Sequence, residues 1–153
     1  MLYEKLLNEA YRYNVDVSEQ PMKRKIKGLY SDNVIWINKR IDTTIEKTCV
    51  LAEELGHFHT TTGDILDQSK VLNRKQERRA RIWAAEKIMP LDKFIDAFNK
   101  GCSSRYEIAE YFEVTESFLK QSLDFYRQKY GNEVQINDQH ILYLAPLAVY
   151  KII

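Results

Sequence analysis

The sequence predicts an α+β fold, a small N-terminal antiparallel sheet beside a helical core. Three patterns point to it. Residues 15–41 alternate apolar and polar side chains at strand period, residues 43–60 and 74–88 repeat at helical period, and the stretch EVQINDQHILYLAPLAVYKII is extended in character. The chain has 153 residues, 44% apolar and 29% charged, which is ordinary for one globular domain. The whole chain, 1–153, is therefore read as a single domain, with a core over 1–100 and a helical and extended subregion over 101–153.

The elements follow in order. Residues 3–14 form a first helix with Leu6, Leu7, Ala10 and Tyr11 assigned to its apolar face. Val15 and Val17 begin the strands. In IKGLYSDNVIWIN, two apolar segments flank Ser31-Asp32-Asn33, a hairpin signal, with Ile35 and Ile37 on one face and Val34 and Trp36 on the other. Thr43 opens the next helix, because Glu46 stands where a capping box places its acid. That helix runs towards Gly63 and is followed by the loop GDILDQSKVL. A second long helix covers 74–88 and is cut off by Pro90. A short helix at LDKFIDAFNKG follows, then two helices over 104–129 broken near Val114-Thr115. Pro146 confines the extended tail to an edge or bulge.

Composition removes several function classes. With 23 basic and 22 acidic residues the net charge is +1, which argues against a protein that coats nucleic acid. Cys49 and Cys102 form no CxxC pair, so neither a disulfide framework nor a cysteine-rich zinc site is expected. No apolar run is long enough to span a bilayer, so no membrane partner is expected. The amphipathic, acid-bearing start does not read as a targeting segment, and a cytoplasmic location is the expectation.

Chemistry is concentrated in Leu51-Ala52-Glu53-Glu54-Leu55-Gly56-His57. Residues four apart on a helix share a face, so Glu53 and His57 point the same way, at the spacing that lets one ion take two ligands from one helix. Glu54 projects about 100° away and would address a water beside that ion rather than the ion itself. The second long helix offers Glu77, with Ala80 and Ala84 small enough for close approach; Asp64 and His59 are rival ligands. The spacing alone is common, and a Glu-Glu pair on a helix is ordinarily solvated surface.

Taken together, KGLYSDNVIWINKRID, LAEELGHFHT, GDILD and QERRARIWAAEKIMP resemble the ImmA/IrrE family of metallopeptidases, above all its phage and mobile-element members, over most of the chain. The family pattern is HExxH followed by a helix that carries a Glu ligand and closes on Met-Pro. The resemblance implies a zincin-like helical core, Glu54 as the catalytic base, and His57, Glu77 and Glu53 as metal ligands. It also implies a helix-turn-helix repressor as substrate. Zn²⁺ is the expected cofactor. Glu53 stands where the family usually has its first His, so the site carries an additional negative charge, which weakens the ion's Lewis acidity and makes Mn²⁺ or Fe²⁺ credible. The same substitution supports an alternative, a weak or inactive relative that binds a repressor or host protein without cutting it. Tyr30, His59 and His140 are candidates for the oxyanion stabiliser by chemistry alone.

Two further features have plain readings. Residues 104–126 resemble a helix-turn-helix. However, the front of its second helix reads Thr115-Glu116-Ser117 after Glu113, an acidic edge that disfavours phosphate, so nucleic acid is not expected as a partner. Arg74, Lys75, Arg78, Arg79 and Arg81 read as the wet face of an amphipathic helix.

Overall fold

The computed structural model describes residues 1–61 and 70–153, with six helices and two three-stranded sheets among them. The chain divides into two compact units, Met1–Ala84 and Ala85–Ile153.

In the first unit, α1 (Leu2–Arg12) buries Leu6 and Ala10, whereas Tyr11 is 82% exposed. At about 100° per residue Tyr11 lies well off the Leu6 face, which is why the apolar face is narrower than the sequence suggested. Three strands follow, β1 (Asp16–Gln20), β2 (Gly28–Ser31) and β3 (Val34–Asn38), arranged β1-β3-β2. The β2–β3 hairpin is antiparallel, and its turn residues Asp32 and Asn33 both take positive φ, as a tight right-twisting hairpin requires. β1 pairs with β3 in parallel, so the sheet is mixed rather than purely antiparallel. Ile35 and Ile37 are fully buried while Trp36 is half-exposed, the alternation expected of a sheet with one covered face.

α2 (Thr44–Thr60) covers that face and also packs on α1. Its start is fixed by Thr43, whose Oγ1 accepts from the Glu46 amide at 3.1 Å. Leu51, Ala52 and Leu55 are wholly buried along it. α3 (Lys70–Ile88) begins four residues before the expected 74 and buries Ala80 and Ala84.

Asn38, 2% exposed, organises the segment between β1 and β2. Its amide nitrogen donates to the carbonyls of Met22, Lys23 and Ile26, and its Oδ1 accepts from the amides of Met22 and Arg40. Asn38→Ala strands several of these backbone groups and is expected to cost about 3 kcal/mol. Urea unfolding checks it. A loss below about 1 kcal/mol would mean that water replaces the side chain there.

The second unit contains α4 (Leu91–Asn99), α5 (Arg105–Phe112) and α6 (Glu116–Tyr130). Ser104 and Thr115 cap the last two, and Glu113 turns between them in the left-handed region at φ 59°. The core gathers Phe94, Ile108, Phe112, Leu119 and Leu123, and the Tyr126 hydroxyl donates to the Met89 carbonyl at 2.7 Å. The extended tail is an antiparallel meander, β4 (Glu133–Asn137), β5 (His140–Leu144) and β6 (Leu147–Lys151). Pro146 sits in the turn between β5 and β6, where no ladder amide is needed.

Candidate metal centre

α2 and α3 approach closely because neither carries bulk where they meet. A Cβ at Gly56 would overlap the Ala80 carbonyl and lie 2.9 Å from the Ala80 Cα. This contact places His57, one residue along α2, beside Glu77, three residues back on α3. His57 Nε2 lies 3.2 Å from Glu77 Oε1. The imidazole is largely covered, its side chain 17% exposed, and the carboxylate is half-exposed.

Glu53 and Glu54 stand one turn earlier on α2. Glu53 Oε1 is 3.9 Å from Arg81 Nε, an ion pair rather than a hydrogen bond. Arg81 thus leaves the solvated row to which the sequence assigned it and turns towards the acids. Glu54 borders β2, since a Cβ at Gly28 would lie 3.1 Å from Glu54 Oε1 and 2.7 Å from Val50 Cγ1. Only a glycine lets the strand come this near the carboxylate.

Burial sets the electrostatics. It pushes the Glu54 carboxyl up to about 7, with Glu77 and Glu53 adding to the rise against the pull of His57. Burial also raises Glu53, opposed by Arg81. For His57, burial favours the neutral ring, but the hydrogen bond and charge of Glu77, with Glu54 and Glu53, carry its pKa above the usual value. The hydrogen bond from His57 holds the Glu77 carboxyl below its usual range.

A pH dependence follows for the metal-free protein. A carboxyl with a raised folded pKa contributes stability that is fully present below its ordinary value and lost as pH rises through the folded value of about 7. Glu54→Gln removes that titration. The metal-free variant is therefore expected to gain melting temperature relative to the parent between about pH 5 and about pH 8. A difference that stays constant over that range would refute the shifted carboxyl.

Of the residues assigned from sequence, His57 and Glu77 meet, while Glu53 faces Arg81 and Glu54 faces the Gly28 strand. Among the described residues, no three His, Cys, Asp or Glu side chains converge closely enough to hold an ion. Asp64 lies outside the described residues. His59 is built into an aromatic cluster, stacked on Trp83 at 4.6 Å and met edge-on by Tyr13 at 4.7 Å. Tyr30 packs near Phe58, and His140 Nδ1 lies 3.0 Å from Asn137 Oδ1 in the second unit. The parts that Gly28, Gly56 and Arg81 play at the site escaped the sequence reading. A glycine inside a helix two residues past a Glu-Glu pair was the available signal for Gly56.

The donor types suit a divalent cation, one imidazole with carboxylates around it, of which only His57 and Glu77 are in contact, while burial and like charge raise Glu53 and Glu54. No helix among the described residues is long and apolar enough to cross a membrane. Comparison with curated proteins gives no match. A family model does match: the peptidase M78 model, described as the IrrE N-terminal-like domain, covers residues 10–124, well over half of the chain and all of the site. The chain belongs to the ImmA/IrrE family of metallopeptidases.

Proposed function

We propose that this protein is a metal-dependent endopeptidase that cuts a helix-turn-helix repressor of a phage or mobile element at a specific bond. The observation that carries the reading is the His57–Glu77 pair, formed across two helices and one turn from the Glu54 carboxylate. His57 and Glu77, with Glu53, would hold the ion, Zn²⁺ first and Mn²⁺ or Fe²⁺ as the alternatives. When bound, it supplies Lewis-acid polarisation of the reacting carbonyl and water. Glu54 takes a proton from the attacking water and returns it to the leaving amine. Release of Glu53 from Arg81 would complete the ligand set.

The Glu53–Arg81 pair also favours a second reading. A Glu53 kept by Arg81 leaves the site short of a ligand, and the protein then acts as an interaction module that holds a repressor or host protein without cutting it. One experiment separates the two. Purified protein equilibrated with Zn²⁺, Mn²⁺ or Fe²⁺ is expected to retain one of them in equimolar amount, and the loaded protein to cut a repressor encoded beside it. No retained ion, with stable repressor binding, would establish the module.

A further inference from the structure

The first unit carries a basic hollow that the proposed chemistry leaves unused. It encloses about 680 Å³ and is lined by Arg24, Lys27, Asn38, Arg40, Ile41 and Asp42. Lys23, Lys25 and Lys39, each next in the chain to a lining residue, are exposed, so residues 21–42 hold six cations against Asp32 and Asp42, in a chain whose net charge is only +1. The frame is rigid: Asn38 ties the Met22, Lys23 and Ile26 carbonyls to the start of the Arg40 segment. Lys27 already binds a carboxylate, Glu46 Oε1 at 2.9 Å, whereas the Arg24 and Arg40 side chains are exposed to solvent.

We infer that this hollow receives acidic side chains of the polypeptide substrate. The inference rests on the peptidase reading and adds a substrate preference to it. Two guanidinium groups beside a concave wall suit bidentate pairing with carboxylates. A nucleic-acid backbone is the competing polyanion, and a peptide is favoured because Lys27 in the hollow adjoins Gly28 against Glu54. Position links the hollow to the reaction. Lys27 immediately precedes Gly28, the residue that lies against Glu54. Glu46, the carboxylate held by Lys27, precedes Glu54 by two turns on α2, roughly 12 Å along the axis at 1.5 Å per residue. An extended peptide spans that in about four residues, so the acidic run lies about four residues from the scissile bond.

The test measures binding without turnover, using the full chain with Glu54→Gln. The probes are a fluorescent peptide with a run of glutamates, its glutamine counterpart, and a short DNA duplex. The glutamate peptide is expected to bind about tenfold tighter than the glutamine peptide at low salt, with the difference shrinking at high salt. Arg24→Gln with Arg40→Gln, both on exposed side chains, is expected to erase the difference while leaving metal content and melting temperature unchanged. Equal binding of the two peptides, or an unchanged preference in the double variant, would overturn the inference. So would DNA displacing the glutamate peptide. Glutamate-selective binding by a protein that cleaves nothing would sink the peptidase reading alone, and Glu54-dependent cleavage without glutamate preference would sink this inference alone.

Discussion

Glu54→Gln is expected to keep the bound ion and lose repressor cleavage by about 10³-fold, within the range attributed to a positioned general base. The amide has the carboxylate's shape, so packing against Gly28 is preserved. What it lacks is the ability to accept a proton. In the metal-free protein burial lifts this carboxyl to about 7, and a cation bound beside it would lower it again, towards the ionised form that a base requires. His57→Ala provides the contrast. It removes the only imidazole of the proposed ligand set, so it is expected to lose the ion and the activity together. Elemental analysis of both variants alongside a repressor-cleavage assay distinguishes these roles. Full cleavage by Glu54→Gln would show that another group serves as base, and His57→Ala retaining the ion would place the metal elsewhere.

Gly56→Ala is expected to destabilise the protein by about 3 kcal/mol, the upper end for an overpacked interior, and to separate the His57–Glu77 pair. The sign makes the measurement decisive. In an exposed helix interior, glycine to alanine gains about 1 kcal/mol from helix propensity. Here the added methyl would meet the backbone of Ala80, which cannot rotate away as a flexible side chain could. Yielding therefore requires α3 to move. Thermal unfolding and metal retention should fall together, since the same contact brings Glu77 to His57. A more stable variant would show that α2 and α3 do not approach this closely.

The site was partly legible in the order of residues because part of it is local. Four-residue spacing on one helix puts Glu53 and His57 on a shared face and turns Glu54 aside, and no tertiary contact is needed to know it. The capping residues Thr43 and Glu46 are equally local, and the hydrogen bond between them marks the helix start where the sequence placed it. The hairpin at Ser31-Asp32-Asn33 was readable for the same reason, since turn chemistry acts over a few residues.

The remaining features depend on residues far apart in the chain. The parallel pairing of β1 with β3 is a non-local register, invisible to alternation, which is the same for either direction. The charge pattern alone made Arg81 one of a solvated row. The rotation of α3 against α2 turns it towards Glu53, and that rotation is a property of helix packing. The basic hollow likewise brings Arg24 and Arg40 to one wall, with Asn38 at the end of β3 tying the loop that carries Arg24 to the Arg40 amide, a non-local arrangement that composition does not describe. By itself, then, the sequence determined the helices, the hairpin and the EExxH spacing, because each depends on a repeat or cap only a few residues long. The resemblance had already grouped Glu77 with His57, but tertiary structure alone showed the two in contact, and it alone decided that Arg81 holds Glu53 and that Gly28 admits Glu54. Each of these rests on two backbones approaching within contact distance, which no local period encodes.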